Sequence, residues 1–253
     1  MALSPSLSFE QFLQRLRQNA YAGLGADDHR VDLEGWIHPR FDERVGGLFR
    51  GASPGSIRVL EVGSWKGLSA SRLGGLLRDR GDGSFVLCID TWLGAPEFWT
   101  WGIDDPTRGG SLRLSNGYPS VFYTFTRNML ALGLERIVVP FPISSEQGFE
   151  VLRAYGTWFD LIYVDAAHEE AAVLRDMENA WSVLAPGGIL AGDDYDPEHW
   201  PGVVGAVGRF VSARGLKGVA DDRLWFVPKP GRGDPSAPPP AKDGTVSPAQ
   251  SAA

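Results

Sequence analysis

Four residues late in the chain, Asp165, His168, Asp193 and Asp194, have the side chains that hold cations and move protons. Asp165 closes the apolar run FDLIYVD, and Asp193 with Asp194 closes GGILAGDD. Runs of this kind read as strands. In a parallel sheet, neighbouring strands finish on the same edge, so the three carboxylates are expected to converge there. Clustered carboxylates repel one another unless a cation sits among them. An octahedral, oxygen-preferring divalent ion such as Mg²⁺ or Mn²⁺ is the simplest one. The plainer alternative is that Asp193 and Asp194 face water and Asp165 serves a cofactor alone. A calcium loop is excluded, because DDYDPEHWPGVV lacks the glycine and the final acid that such a loop requires. His168 follows Asp165 in VDAAHEEAAVLRD, where it is either a helix-start surface residue or a general base for an alcohol. Tyr195 and His199, just past the acid pair in YDPEHWPGV, are candidate substrate contacts; His29 and His38 have no comparable company.

A second constellation reads as a binding loop. The run IRVLEV leads into E-x-G-x-x-x-G-x-S, from Glu61 to Ser69. Gly63 and Gly67 permit a sharp turn and a close approach to a ligand. Their spacing is not the G-x-G-x-x-G of dinucleotide folds, and a carboxylate at Glu61 repels pyrophosphate while attracting an ammonium or sulfonium group. Asp90 ends the next run, SFVLCID, at about the distance along the chain where such folds place an acid for ribose hydroxyls. A structural turn and a solvated acid would give the same pattern.

Positioning these residues requires a scaffold, and the chain alternates accordingly. Strand-like runs at IRVLEV, SFVLCID, RIVVPFPI, FDLIYVD, GGILAGDD and RLWFVPK are mostly separated by helix-length segments such as SASRLGGLLRDR, FYTFTRNMLALG, EEAAVLRDMENAWSVL and VVGAVGRFVSAR. This predicts an α/β fold with a doubly wound, mostly parallel, Rossmann-like sheet whose ligands gather at the C-terminal strand ends. Ser8 followed by Phe9, Phe12, Leu13 and Leu16, with Gly23 as a stop, predicts an amphipathic helix that packs on the domain or on a second copy of the chain. The expected organisation is a helical extension over 1–56, a ligand-binding domain over 57–228 and a disordered tail over 229–253. Arg232, Gly233 and Asp234 in that tail spell an adhesion tripeptide of the kind that chance readily produces.

Composition removes several classes of function. With 253 residues and 43% hydrophobic content, one sizeable core is within reach. The 24 Lys and Arg against 31 Asp and Glu give a formal charge of −7, which excludes nucleic acid as a natural partner. No signal-like start and no membrane-length apolar run are visible, so a soluble chain with no membrane partner is expected. The single cysteine, Cys88, excludes an intrachain disulfide and reads as a small buried hydrophobe in a reducing, cytoplasmic setting.

Substrate recognition is expected in the long insertion over 91–120. Trp92, Phe98, Trp99 and Trp101 are candidates to stack on a sugar face or to close as a lid, with Asp104, Asp105 or Arg108 meeting hydroxyls. Trp36 and Phe41 are candidates for the same wall. A satellite core or a contact between copies of the chain is the alternative.

In this order, E-x-G-x-x-x-G-x-S, VDAAH and LAPGGILAGDDY resemble the class I S-adenosylmethionine-dependent methyltransferases. More narrowly, they resemble the metal-assisted small-molecule branch that includes macrolide-sugar and catechol-type O-methyltransferases. The resemblance spans about residues 57–214 and implies a seven-stranded sheet, S-adenosylmethionine and a divalent metal, Mg or Mn. It implies that Glu61, Gly63, Ser64, Trp65, Gly67 and Ser69 line the methionine and ribose end, that Asp90 holds the ribose, and that Ser144 and Ser145 touch adenine. It also implies that Asp165 serves cofactor and catalysis, that Asp165, Asp193 and Asp194 hold the metal, and that His168 is a base beside them. Trp65 departs from the glycine that many members carry. The implied reaction methylates a hydroxyl of a small molecule or carbohydrate. Two other functions use such a scaffold: an NAD(P)-dependent oxidoreductase, whose glycine pattern and Tyr–Lys relay are not visible here, and a non-catalytic cofactor- or sugar-binding protein.

Overall fold

The computed structural model describes residues 3–25, 29–50, 55–100 and 109–231. Its strands are β1 (Arg58–Val62), β2 (Phe85–Asp90), a hairpin of β3 (Leu114–Ser115) and β4 (Tyr118–Pro119), then β5 (Val138–Pro142), β6 (Phe159–Val164), β7 (Leu184–Gly192), β8 (Val219–Asp221) and β9 (Leu224–Pro228). The helices are α1 (Phe9–Ala20), α2 (Phe41–Arg50), α3 (Leu68–Arg78), α4 (Pro96–Thr100), α5 (Val121–Ala131), α6 (Ser145–Ala154), α7 (Glu170–Val183) and α8 (Pro201–Arg214).

Apart from the hairpin, the strands form one seven-stranded sheet in the order β5-β2-β1-β6-β7-β9-β8. It is parallel from β5 to β7 and antiparallel at β9 and β8. From β1 the chain builds outward through β2 to β5, then returns to β6 on the other side of β1. That reversal opens a crevice above the C-terminal ends of β1 and β6, the place where doubly wound sheets take their ligands.

Successive residues of a strand point to opposite faces, and both faces here are covered. Phe85, Leu87 and Ile89 of β2 join one core with residues of α1, α6, α7 and α8. Val86 and Cys88 join the other with residues of α2, α3 and α5. Helix α1 begins with a reciprocal capping box between Ser8 and Gln11, and it buries Phe9 and Leu13 on its own domain. Tyr21, just past that helix, donates its hydroxyl to the Val138 carbonyl at 2.8 Å.

Helix α2 was hidden in the sequence by its adjacent Gly46 and Gly47, although Phe41, Val45 and Phe49 form a buried i, i+4, i+8 stripe. Strand β8 has only three residues and no buried apolar position, so it carries no strand signal of its own. The insertion contains α4 and the β3–β4 hairpin, which turns at Asn116 and Gly117, both at positive φ, as a two-residue hairpin turn requires. Trp101, Asp104, Asp105, Arg108 and the Arg232–Asp234 tripeptide lie outside the described residues. Among the described residues, no helix is long and apolar enough to cross a membrane.

Candidate active site

A cavity of about 720 Å³ opens at the crevice, within the size range of small-molecule sites. Its floor is the loop after β1. Gly63 has φ +85°, and a Cβ there would stand 2.0 Å from the Asp165 carbonyl oxygen. Glycine at this position therefore lets the ends of β1 and β6 meet. Gly67, at φ +90°, presses on Met129 and Phe125 of α5 and does not line the cavity. Asp90 organises the loop: its Oδ2 accepts from the Ser64 and Trp65 amides, both at 2.8 Å, and its Oδ1 accepts from the Trp92 amide at 2.7 Å. A carboxylate has about four acceptor positions, so Asp90 keeps about one, on Oδ1, for a ribose hydroxyl. Ser64, Trp65, Ser69, Ser144 and Ser145 also line the cavity.

Glu61 does not. It is fully buried beneath the loop, where it accepts from Ser64 Oγ at 2.5 Å. The sequence placed it beside the methionine part of a cofactor; in the structure β1 turns it into the core below the loop, off the cavity wall. Burial raises its carboxyl from the usual 4.5 to about 7; Ser64, Ser69 and the Cys88 thiol oppose that shift, and Asp90 adds to it. Oε1 has no hydrogen-bond partner of good geometry. Because the native state holds this proton more tightly than the unfolded chain, stability falls as pH rises from about 4.5 to about 7 and is flat above. Glu61→Gln should remove that component. Chemical denaturation is expected to show the variant gaining about 3 kcal/mol on the parent protein between pH 5 and pH 8. Identical pH profiles would contradict the buried-carboxyl assignment.

The acid edge lies where β6 and β7 end. Asp165 lines the cavity, and its carboxylate makes no hydrogen bond among the described residues. Its carboxyl is pushed well above the usual range, first by its depth in the protein and then by the charges of Asp193, Asp194 and Glu61. His168 Nε2 lies 2.9 Å from Asp194 Oδ2, and its ring stacks on Trp200 at 3.9 Å. A carboxylate only accepts, so Nε2 carries the hydrogen and Nδ1 the lone pair. The stacking depends on Gly202, where a Cβ would meet the His168 carbonyl oxygen at 2.3 Å. Asp194 sits at φ +61°, uncommon for a residue with a side chain, and its Oδ1 accepts from Arg223 Nη2 at 2.8 Å.

Ligand atoms of Asp165, His168 and Asp194 all come within 4.8 Å of one another, a spacing and donor set that fit one divalent ion. Asp193 is not part of this group. It is buried, with Oδ1 accepting from the Asp194 amide at 2.8 Å and Oδ2 from the Tyr163 hydroxyl at 3.1 Å. The expected set was Asp165, Asp193 and Asp194; the structure groups Asp165, Asp194 and His168, while Asp193 also lines the cavity with its carboxylate hydrogen-bonded to the turn and to Tyr163.

The opposite wall comes from the segment before α2, a contribution the sequence signalled only through Trp36. Buried Lys66 bonds Asp32 at 3.0 Å and Glu34 at 2.5 Å, while Asn128 donates to the Asp32 and Lys66 carbonyls at 2.7 and 2.8 Å. This network brings Glu34, Gly35 and Trp36 to the cavity. Arg223 lies 4.4 Å over the Trp36 ring, and the preceding residue, Asp222, bonds buried His38 at 2.8 Å. Arg223 carried no signal in the sequence, because only the β7–β9 pairing, with Gly192 opposite Trp225, brings it to Asp194.

Several aromatic candidates lie elsewhere. Trp92 is core, packed on Phe122 and Phe125, with its Nε1 donating to the Trp65 carbonyl at 2.8 Å. Phe41 is buried against Tyr163. Trp99 is partly exposed outside the cavity and donates to the Leu93 carbonyl at 2.9 Å. Tyr195 packs against the core beside α8, and His199 is exposed on Asp196 at 2.9 Å. The sequence suggested Trp92, Trp99, Tyr195 and His199 as substrate contacts; none of the four lines the cavity. Of the insertion's aromatics, Phe98 lines the cavity, stacked on Trp65 at 4.6 Å.

A family model described as a methyltransferase domain matches residues 60–195, more than half of the chain. A comparison with curated protein sequences gives no match. Among solved structures, the chain is similar to the O-methyltransferase NovP, at 15% identity and a TM-score of 0.59, over 87% of this chain and 99% of that one. It is also similar to the O-methyltransferase TomG from Streptomyces achromogenes, solved with SAM, at 15% identity and a TM-score of 0.53, over 87% and 89%. The calicheamicin methyltransferase CalS11 aligns at 18% identity and a TM-score of 0.50, over 90% and 95%. At these identities the structures speak for the fold, and the match over residues 60–195 speaks for the family. The chain belongs to the methyltransferase-domain family and has the class I S-adenosylmethionine-dependent methyltransferase fold.

Proposed function

We propose that the protein methylates a hydroxyl of a small-molecule or carbohydrate acceptor, with S-adenosylmethionine as donor and with Asp165 and Asp194 holding a divalent cation beside His168. The observation that carries this is the unpartnered Asp165 carboxylate, which shares the cavity with the His168–Asp194 pair. When bound, S-adenosylmethionine supplies an electrophilic methyl carbon and Mg or Mn supplies Lewis acidity at the acceptor oxygen.

The chain's own residues account for the remainder. The carboxylates of Asp90 and Asp194, both on the cavity wall, favour a sulfonium there over an anion. His168 takes the acceptor proton on Nδ1, while Asp194 keeps the ring oriented and stabilises the imidazolium. Trp36, Trp200 and Phe98 wall the cavity and exclude water from the reacting groups. Two structural neighbours, NovP and TomG, are O-methyltransferases and support an oxygen acceptor; TomG, involved in tomaymycin synthesis, and CalS11, a calicheamicin methyltransferase, support one of small size.

One ion pair favours a second reading. Arg223 already sits on Asp194, so a site without a metal, in which His168 alone removes the proton, also balances part of the local charge. The proposed function itself is tested by incubating the protein with isotopically labelled S-adenosylmethionine and a panel of phenols, catechols and sugars. The expected product is heavier by one CH₂ and carries the label on oxygen. Labelling confined to amines or thiols would contradict it.

A further inference from the structure

The turn between β8 and β9 brings Arg223 to the cavity wall, and the segment leading into α2 fastens that turn. Buried His38 accepts the Arg40 amide hydrogen on Nδ1 at 3.2 Å, so its Nε2 carries the hydrogen that Asp222 Oδ2 accepts at 2.8 Å. Asp221 pairs with Arg44 of α2, and the Arg223 carbonyl accepts from the Tyr195 amide at 2.8 Å. The backbone on both sides of Arg223 is held.

Its guanidinium is held as closely. It lies 4.4 Å over the Trp36 ring, and Nη2 donates to Asp194 Oδ1 at 2.8 Å. Nε is buried without a hydrogen-bond partner, with Asp196 Oδ2 4.0 Å away. A buried donor left unmet costs free energy, so this is not the placement that best satisfies the arginine; it is one that delivers its charge to Asp194. Asp194 then has both oxygens engaged, Oδ1 by Arg223 and Oδ2 by His168 Nε2 at 2.9 Å. The other arginine on the cavity wall, Arg175, pairs with Glu146 at 2.8 Å, away from the acid edge.

Resting on the proposed cation site at Asp165 and Asp194, we infer that Arg223 is a positioning residue that acts through Asp194 and sets how tightly that site holds a divalent cation. The guanidinium on Oδ1 keeps Oδ2 aimed at His168. Being positive, it also opposes a second cation on the same carboxylate, so the site binds its ion less tightly than its acids alone would allow. An arginine with a merely structural role, tying the turn to Trp36, would contribute to stability and leave cation affinity where it is.

Mn²⁺ titrated into the full chain after chelation, with the free ion followed by electron paramagnetic resonance, tests this without turnover. Arg223→Met removes the charge and keeps much of the stem, and it should bind Mn²⁺ about tenfold more tightly than the parent protein, the repulsion of a unit charge and a divalent ion a few ångströms apart even in a water-like dielectric. Arg223→Lys restores the charge and should stay within about threefold of the parent protein. Affinity for S-adenosylhomocysteine should agree among the three to within about threefold. Thermal melting checks that the variants are folded; if Arg223→Met is not, Arg223→Gln takes its place. Equal or weaker Mn²⁺ binding by a folded neutral variant, or a lysine variant that binds as tightly as the neutral one, would overturn the role of Arg223. Mn²⁺ bound by neither the parent protein nor the neutral variant would overturn the cation site itself, and this inference with it.

Discussion

His168→Ala is expected to slow methyl transfer by about two to four orders of magnitude, the usual effect of losing a general base. Affinity for S-adenosylhomocysteine and bound metal should both be retained. The first expectation follows from the Asp194–His168 pair. With Nε2–H committed to Asp194 and the ring stacked on Trp200, Nδ1 is the atom left to receive a proton. The second follows from the distribution of the site, because the residues proposed for the cofactor end, Ser64, Asp90 and Ser144, make no hydrogen bond to the imidazole. Rate assays with calorimetry and elemental analysis on one preparation separate the possibilities. Metal lost together with activity would make His168 a ligand and contradict its assignment as base, since a ring nitrogen of His168 also lies among the atoms within 4.8 Å. A rate within about threefold of the parent protein would remove His168 from the chemistry.

Much of the scaffold was legible because strands buried on both faces are near-continuous apolar runs, and six such runs stand out between helix-length segments. The seventh strand was not, because β8 is short and gains its place only by pairing with β9. The acids at strand ends were legible by type, but their roles depend on which way each side chain turns. Asp165 and Asp193 both line the cavity, but Asp165 makes no side-chain hydrogen bond among the described residues while Asp193 accepts from Tyr163, and no spacing in the sequence distinguishes the two. Glu61 and Gly67 were marked as ligand contacts by their loop motif, yet serve the packing beneath and beside it. The aromatic insertion misdirected attention in a similar way: Trp92 fills a core under the loop, whereas Trp36, Trp200 and Arg223 come from segments far apart in the chain. Charge and aromaticity identify which residues have chemistry to offer, and tertiary packing decides which of them reach the cavity.

Removing divalent cations is expected to abolish methyl transfer while leaving affinity for S-adenosylhomocysteine largely intact. Asp165 supplies the reason. Its carboxylate has no hydrogen-bond partner among the described residues, and burial first, then the charges of Asp193, Asp194 and Glu61, disfavour its ionised form, a cost that a bound cation would offset. Arg223 compensates one of these acids, Asp194, and does not reach Asp165. The residues proposed for the nucleoside end, Asp90 at the end of β2 and Ser144 and Ser145 at the start of α6, belong to other elements than the acid edge, so cofactor binding should not follow the metal. The most direct measurement compares label transfer from S-adenosylmethionine to a methylated acceptor before chelation, after chelation verified by elemental analysis, and after adding back Mg²⁺ or Mn²⁺. Loss of transfer on chelation and recovery on addition, with calorimetric affinity for S-adenosylhomocysteine changing by less than about threefold throughout, is the expected result. Transfer at the original rate by verified metal-free protein would contradict the metal-assisted site and leave His168, backed by Asp194 and Arg223, to remove the proton alone.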